Sequence, residues 1–357
     1  MQTIQLSDYA IYIGDIWSDL NNLLKKRNYP KIGILVDENT AQYCLPIFQK
    51  NLPDIRFSTW LIPAGESFKN IQTCQQIWQQ MMESDVNRNA LTINLGGGVI
   101  GDMGGFCAST FKRGMDFLQM PTTLLSQVDA SIGGKLGIDF MQVKNSIGLF
   151  QNPQAVMIAP EFLNTLPLSE IRSGFAEIIK HTLIKDATQW EELKKITDLS
   201  AVDWTTFLVP SLTIKKQIVE ADPFEKGIRK ALNFGHTVGH AIEGWALETA
   251  RPLLHGEAIA IGMICEAWLS YKIAGLPKFA LDEIVNFILK IYDPYPLNQA
   301  AYSDFIQLMT KDKKNEDGAI NFTLIPKIGE ALINQTASPS LIEESLQFYN
   351  ECLKNRR

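Results

Sequence analysis

The chain has 357 residues and a formal net charge of −6, with 46% hydrophobic and 20% charged residues. This length exceeds what one hydrophobic core usually serves, so it predicts two domains. The ordinary composition excludes a disordered or fibrous protein. The acidic balance argues against a dedicated nucleic-acid or membrane-surface binder, because such proteins present basic surfaces to phosphate. Any bound anion must therefore be held by local basic clusters.

Several features of the sequence predict a cytoplasmic location. The five cysteines are dispersed, without a C-x-x-C pair, which is typical of free thiols in a reducing compartment. The first residues, "MQTIQLSDYAIYIG", lack a basic region followed by an apolar core, so no signal peptide is expected. The longest apolar stretch, "EAIAIGMICEAWLSY", is interrupted by Glu266 and is too short to span a bilayer.

Strand and helix patterns alternate along the first half of the chain. Apolar runs such as "KIGILVD" and "ALTINL" are typical of buried strands. Because the segments between them have helical patterns, the alternation predicts a parallel sheet with helices on both faces. The predicted strands are 31–37, 56–63, 90–95, 117–121 and 155–160, and the predicted helices are 41–50, 70–84 and 102–112.

Helical patterns dominate from about residue 169 onward. The change falls near "NTLPLSE", which predicts an α/β domain over residues 1–165 and an all-α domain over residues 166–357. The predicted helices of the second domain are 169–185, 204–221, 232–246, 255–274, 280–291 and 339–354.

A glycine-rich loop, "NLGGGVIGDMGG", follows the third predicted strand. Gly96, Gly98 and Gly101 satisfy the G-x-G-x-x-G pattern, in which glycines let the backbone approach a pyrophosphate at a helix N-terminus. The alternative is a simple tight turn, since the loop does not follow the first strand. Asp102 could accept a hydrogen bond from a cofactor, and Asp37 could either bind a ribose or cap a helix.

A cluster of polar side chains follows the glycine loop. In an acidic protein, basic residues set among glycines and small residues favour an anionic ligand, whereas the alternative is a set of ordinary surface lysines. The members are Arg113, Asp129, Lys135, Lys144 and Asn145, followed later by Lys180, Lys215 and Arg229.

The histidines indicate a metal site. The chain has only four, and His236, His240 and His255 fall close together. A catalytic zinc needs about three protein ligands and an open position. Spacing leaves the ligand set open, because Glu177 and His181 also share one face of a predicted helix. The carboxylate candidates are Glu177, Glu243 and Glu257.

Six collinear segments together resemble the 3-dehydroquinate synthase family of the sugar-phosphate cyclase superfamily. They are "GGGVIGD", "RGMDFLQMPTTLLSQVDASIGGK", "KNSIG", "GFAEIIKH", "EKGIRKALNFGHTVGHAIE" and "LHGEAIAIGM", and recognisable similarity extends over about residues 31–330. The resemblance implies an NAD-binding α/β domain followed by a helical domain. It also implies a divalent metal, normally zinc with cobalt as an alternative, and a homodimer.

The same resemblance assigns metal ligands and cofactor contacts. It implies that Glu177, His236 and His255 hold the metal, whereas His240 contacts the substrate or relays a proton. The implied NAD contacts are Asp37, Asn39, Glu66, Lys69, Gly97, Gly98, Val99, Gly101, Asp102, Thr122, Thr123, Lys135, Lys144, Phe162, Leu163, Asn164 and Thr165.

Substrate contacts are implied by the resemblance in the same way, and the residue that matches Arg113 reaches the neighbouring subunit's site in this family. Two departures, Pro223-Phe224 in "DPFEKGIR" and Asp139 where the family often has asparagine, bear on local geometry only. The implied contacts are Arg113, Asp129, Lys135, Asn145, Lys180, Lys215, Arg229, Asn233 and His240, with Lys313 or Lys314 of "TKDKKNEDG".

The implied reaction converts 3-deoxy-arabino-heptulosonate 7-phosphate to 3-dehydroquinate and phosphate in the shikimate pathway. One alternative is a related cyclase that makes an inosose or a valiolone, but the presence of Lys215, Arg229, Asn233 and the Asp-Lys-Lys segment of "TKDKKNEDG" favours a substrate with a carboxylate. A second is an NAD- and metal-dependent polyol dehydrogenase, which would accumulate NADH. A third is a metal- or nucleotide-sensing protein, which would turn over no phosphate ester.

Overall fold

The computed structural model describes residues 1–130, 132–141, 143–310 and 320–355. The chain divides into two compact units. The first comprises Met1–Pro167 and Asp203–Lys216, and the second comprises Leu168–Val202 and Gln217–Arg357. None of the helices in the described ranges is both long enough and apolar enough to cross a membrane.

The first unit is built on a mixed but mainly parallel sheet. Its seven strands within the described residues are β1 (Gln2–Gln5), β2 (Ala10–Ile13), β3 (Ile32–Asp37), β4 (Ser58–Ile62), β5 (Leu91–Gly96), β6 (Asp116–Pro121) and β9 (Ala155–Ile158). Their order is β1-β2-β9-β6-β5-β3-β4, and only β1 and β2 pair antiparallel. A separate antiparallel hairpin joins β7 (Lys135–Phe140) to β8 (Val143–Phe150).

Helices cover both faces of this sheet. They are α1 (Trp17–Arg27), α2 (Glu38–Tyr43), α3 (Leu45–Asn51), α4 (Ile71–Glu83) and α5 (Gly98–Thr110). Alternation along β3 separates two cores, because Ile34 and Val36 belong to one apolar cluster and Leu35 to another. The first cluster includes α1 and α3, whereas the second includes α4 and α5.

The second unit is mainly helical. Its helices are α6 (Leu168–Lys185), α7 (Ala187–Leu193), α9 (His236–Ala246), α10 (His255–Leu269), α11 (Lys278–Ile291), α12 (Tyr302–Thr310) and α13 (Pro339–Lys354), and a hairpin joins β10 (Asn321–Lys327) to β11 (Glu330–Thr336). A further helix, α8 (Thr205–Ala221), begins in the segment Asp203–Lys216 of the first unit. Every residue of α10 from Ala258 to Leu269 is buried, as expected for the central helix of a bundle.

The predicted fold class is confirmed, and the five predicted strands correspond to β3, β4, β5, β6 and β9. Several details differ, and three of them concern predicted elements or the predicted all-helical domain. The predicted helix 41–50 is two helices that meet at Cys44, because Pro46 starts a new first turn. Helix α5 begins at Gly98, before the predicted residue 102. The hairpin β10–β11 adds strands to a domain predicted to be all helical.

Candidate active site

Three helices of the second unit bring one carboxylate and two imidazoles together. Glu177 on α6 is 1% exposed, and its Oε1 lies 3.5 Å from His236 Nε2 and 3.9 Å from His255 Nε2. His236 is the first residue of α9, and His255 is the first residue of α10. One oxygen and two imidazole nitrogens form a donor set that suits zinc or cobalt with an open position. The arrangement therefore fits the metal that the sequence predicts.

Glycines explain how these helices approach so closely. A Cβ on Gly256 would lie 1.9 Å from the carbonyl oxygen of Ser173 on α6, and the Gly256 amide donates to Ser173 Oγ at 3.0 Å. A Cβ on Gly262 would lie 1.9 Å from the carbonyl oxygen of Gly235, which precedes α9. Helix α10 therefore packs on α6 and on the start of α9 through backbone contacts that no larger residue would permit.

Hydrogen bonds at Nδ1 orient the two predicted imidazole ligands. His236 Nδ1 lies 3.2 Å from the carbonyl oxygen of Phe234, and His255 Nδ1 lies 3.1 Å from Glu243 Oε2. Such contacts leave both Nε2 atoms facing Glu177 Oε1, as they would for two ligands of one metal ion. Burial disfavours the charged form of His255, but Glu177 and Glu243 outweigh it and raise its pKa to about 9. A metal ion would therefore displace a proton on binding.

Two other predicted residues lie beside this cluster. Lys180, which is 2% exposed, donates from Nζ to Glu177 Oε2, the oxygen that does not face the two histidines most closely. The exposed ring of His240 lies with its centroid 5.0 Å from that of His236 and 5.7 Å from that of His255. His240, His236 and His255 also form a group of potential metal ligands. Of the carboxylate candidates, Glu257 instead accepts from the Leu254 amide at 2.9 Å and caps α10.

The segment before α9 holds Arg229 through contacts with Asp222 and Pro223. The carboxylate of Asp222 accepts from the amides of Lys226, Gly227 and Arg229 at 3.0, 2.6 and 3.1 Å. The Arg229 guanidinium donates to the carbonyl oxygen of Pro223 at 2.6 Å. Desolvation opposes the charge of Asp222, but the three amides hold its pKa below the usual range. Predicted Asn233 lies in the same segment and donates to Glu225 Oε1 at 3.1 Å.

The glycine loop of the first unit lies at the point in the sheet where the order of strand addition reverses. From β3 the chain adds β4 on one side, and it then returns to place β5 on the other side of β3. Ligands of parallel α/β sheets bind at such switch points, beyond the carboxyl ends of the strands. Gly97 and Gly98 stand at the end of β5 and the start of α5, and Asp37 ends β3. This edge therefore offers the backbone amides of a helix N-terminus to an anionic ligand.

A hydrogen-bonded network connects several predicted residues near this loop. Lys69, which is 4% exposed, donates from Nζ to Asp102 Oδ2 at 2.6 Å and to Asn145 Oδ1 at 2.7 Å. The Asn145 amide donates to Asp139 Oδ1 at 2.7 Å, and the Asp139 amide donates to the Lys69 carbonyl at 2.8 Å. Burial raises the pKa of Asp102, although Lys69 opposes the shift. Asp139 thus supports a residue predicted to contact substrate.

The remaining predicted cofactor residues divide into buried and accessible groups. Asp37 caps α2 by accepting from the Thr40 amide at 2.8 Å, so the helix-cap alternative describes its observed contact. Phe162, Leu163 and Thr122 are buried. Those that are exposed or half-buried are Asn39, Glu66, Gly97, Gly98, Val99, Gly101, Thr123, Lys135, Lys144, Asn164 and Thr165.

Two predicted substrate residues of the first unit contact each other. Lys215, which is 4% exposed, donates to the backbone carbonyl and to Oδ1 of Asp129, the latter at 2.7 Å. Arg113 is exposed and lies in the left-handed region, with φ of +69°. Lys313 and Lys314, one of which was predicted to join the set, lie outside the described residues.

The protein therefore combines an α/β unit with a helical unit. The helical unit has a cluster of histidine and glutamate side chains suited to a metal, and the α/β unit has a glycine loop where nucleotides bind in such sheets. Family models described as 3-dehydroquinate synthase N-terminal and C-terminal match residues 59–173 and 174–315. A 3-dehydroquinate synthase from Parabacteroides distasonis is 42% identical over 341 residues, which cover 94% of this chain and 96% of that protein. The chain therefore belongs to the 3-dehydroquinate synthase family.

Two solved structures of other cyclases are also similar. The first is 2-epi-5-epi-valiolone synthase from Streptomyces hygroscopicus with NAD+ and Zn2+ bound; its TM-score is 0.83 at 25% identity, covering 98% of this chain and 99% of that one. The second is 2-deoxy-scyllo-inosose synthase complexed with carbaglucose-6-phosphate, NAD+ and Co2+, with a TM-score of 0.84 at 21% identity. It covers 97% of this chain and 99% of the other. The second match reports on the fold alone.

Proposed function

We propose that this chain is an NAD- and metal-dependent 3-dehydroquinate synthase, which converts 3-deoxy-arabino-heptulosonate 7-phosphate to 3-dehydroquinate and phosphate. The observation that carries the proposal is the convergence of Glu177, His236 and His255 in a chain 42% identical to a 3-dehydroquinate synthase over nearly its full length. The reaction combines oxidation, β-elimination of phosphate, reduction, ring opening and aldol closure.

Both cofactors have residues suited to hold them. Glu177, His236 and His255 would hold zinc or cobalt, and the edge of the sheet at Asp37 and the Gly97–Asp102 loop would hold NAD. When bound, NAD would supply a hydride acceptor and donor for the substrate carbinol, and the metal would supply a Lewis acid for the oxygen there. Because the hydride returns within each turnover, the proposal predicts no net NADH.

The protein residues have two tasks, anion binding and proton transfer. The substrate carries a carboxylate and a phosphate, which basic side chains and amides bind with charge-assisted hydrogen bonds. His240 is exposed beside the metal ligands, where an imidazole can move a proton to or from a reacting hydroxyl. The proposed substrate residues are Arg113, Asp129, Lys135, Asn145, Lys180, Lys215, Arg229, Asn233 and His240.

The decisive experiment measures phosphate release with NAD and zinc from three candidate substrates. We expect release from 3-deoxy-arabino-heptulosonate 7-phosphate, none from glucose 6-phosphate or sedoheptulose 7-phosphate, and no rise in NADH absorbance. A chelator should stop the reaction, and added zinc should restore it. Release from either of the other two phosphates instead would favour an inosose or valiolone synthase, and steady NADH formation would favour a polyol dehydrogenase.

Two variants separate metal binding from substrate binding. Glu177→Ala should lose bound zinc and turnover, because it removes the oxygen between the two imidazoles. Lys135→Ala should keep its zinc and lose substrate use. Full zinc content together with full turnover in Glu177→Ala would overturn the ligand assignment.

We further infer that the protein acts as a homodimer. The hairpin β7–β8 exposes Phe140, Met141, Val143, Ile147 and Phe150, with 38–81% of each side chain accessible. An apolar surface of this kind marks a protein interface, and a second copy of this chain is the partner that the family relationship favours. Arg113, held in a left-handed turn, is proposed to reach the neighbouring site.

We also infer a cytoplasmic location. All five cysteines are free thiols, which accords with a reducing compartment.

A further inference from the structure

A buried carboxylate on α10 binds the start of α9. Glu266 is 0% exposed and lies near the end of α10. Its Oε2 accepts from the Gly235 amide at 2.7 Å, and its Oε1 accepts from the Val238 amide at 3.1 Å. Both carboxylate oxygens of Glu266 therefore accept backbone amides from the N-terminus of α9.

The chemistry of a helix start explains why these contacts matter. The first amides of a helix have no intrahelical carbonyl to bind, and Gly235, the residue before α9, offers no side chain for this task. A carboxylate satisfies such amides and interacts favourably with the positive end of the helix dipole. Burying that carboxylate is costly without strong hydrogen bonds. Glu266 and the α9 amides thus depend on each other.

The contacts lie next to a proposed metal ligand. His236 directly follows Gly235, so the Oε2 contact fixes the backbone one residue from the imidazole. The φ of Gly235 is +79°, and a Cβ there would lie 2.6 Å from Met263 Cγ, so the turn has little space to move. Glu243, which orients His255, is on the same helix.

We propose that Glu266 is a positioning residue for the metal site: it sets the place of His236 relative to Glu177 and His255 through its two hydrogen bonds to the start of α9. The inference rests on the proposed metal function of those three residues. It assigns no contact between Glu266 and the metal. Residues that orient metal ligands typically change metal affinity by about 10- to 100-fold when they are replaced.

Glu266→Gln and Glu266→Met test the proposal by two routes. Glutamine keeps the size but presents an amide nitrogen to one of the two donors, whereas methionine removes the charge at similar volume, a change that buried sites often tolerate. Affinity is measured for Zn2+ and Co2+ alone by competition with a chelator. We expect both variants to bind about 10- to 100-fold more weakly, with an altered visible spectrum of bound Co2+.

Ser270→Ala is the matched control. Ser270 is one turn further along and also 0% exposed; its Oγ donates to the Glu266 carbonyl at 2.7 Å and accepts from the Ile325 amide at 3.0 Å. Its loss should lower the free energy of unfolding without changing metal affinity. Wild-type affinity and spectrum in folded Glu266→Met would overturn the proposal. If His236→Ala also bound metal normally, the proposed metal site itself would be wrong, which is a separate result.

Discussion

The side chain of Asp139 supports Asn145, a predicted substrate residue six positions later in the chain. Three hydrogen bonds form a closed ring among Asp139, Lys69 and Asn145. Asn145 has a φ of +50°, a conformation that non-glycine residues adopt when their surroundings fix it. The departure from the family's frequent asparagine preserves this function, because both side chains offer an oxygen to the Asn145 amide.

We predict that Asp139→Ala lowers kcat/KM for the heptulosonate phosphate about 10-fold or more, since it leaves the Asn145 amide without this acceptor. Asp139→Asn is the matched control and should retain most of the activity. Steady-state kinetics at saturating NAD and zinc would measure the difference. Equal losses in the two variants would contradict the role of the accepting oxygen.

Asp222 leads to a prediction about pH. Its folded-state pKa is lowered, so its carboxylate stabilises the folded chain fully above the ordinary value of 3.8 and progressively less as the pH falls below that value. Asp222→Asn should therefore have a lower free energy of unfolding than the wild type at pH 7. The gap should narrow as the pH falls from 4 to 3. Urea unfolding across this pH range measures the difference in free energy of unfolding between the wild type and Asp222→Asn. A difference that does not depend on pH would show that the charge of Asp222 does not contribute to it.

At the scale of elements, the sequence predicted what periodicity encodes. The strands β3, β5 and β6 are largely buried and mainly apolar, and they were predicted within one or two residues. The hairpin β7–β8 was missed because Lys, Asp and Asn interrupt its apolar residues. The start of α5 was placed too late because its first turn contains Gly98 and Gly101, which read as loop residues although they are helical.

The same elements give a prediction about glycine. Gly256→Ala should destabilise the protein by about 1–3 kcal/mol or more, because the new Cβ would clash with the Ser173 carbonyl oxygen at 1.9 Å. It should also weaken metal binding, since it separates α10 from α6. Gly244→Ala on α9 is the control: a Cβ there meets nothing within 4 Å, so helix propensity should stabilise it by up to about 1 kcal/mol. Urea unfolding of both variants would show opposite signs, and matching signs would refute the packing argument.

Across the whole chain, the sequence does not predict which side chains from distant segments contact each other. The motifs suggested Glu177, His236 and His255 only through resemblance, since helical spacing left His181, Glu243 and Glu257 equally open as ligands. The contact of Glu243 with His255 and the contact of Glu266 with α9 were not predicted. They depend on the packing of α9 against α10, and no period in the sequence specifies which carboxylate will meet which amide or ring.

The proposed dimer gives the last prediction, a complementation test. Arg113→Ala and Glu177→Ala should each be inactive as homodimers. The first lacks Arg113 in both sites, and the second does not bind the metal in either site. In a mixed dimer, the site of the Arg113→Ala subunit keeps its own Glu177 and receives Arg113 from its partner. Random exchange makes about half of the dimers mixed, each with one complete site, so about one quarter of wild-type phosphate release should return.

This recovery requires dimers that exchange subunits, so a variant that prevents dimer formation is the control. Ile147→Glu places a charge on the exposed apolar face of the hairpin. If that face is the dimer interface, adding Ile147→Glu to both variants should give monomers by analytical ultracentrifugation and abolish the recovery. Dimers and recovery that both survive Ile147→Glu would mean that this face of the hairpin is not the dimer interface. If proven mixed dimers show no recovery, Arg113 acts in the site of its own subunit. In that case one site of each mixed dimer lacks Arg113 and the other lacks Glu177, so neither site is complete.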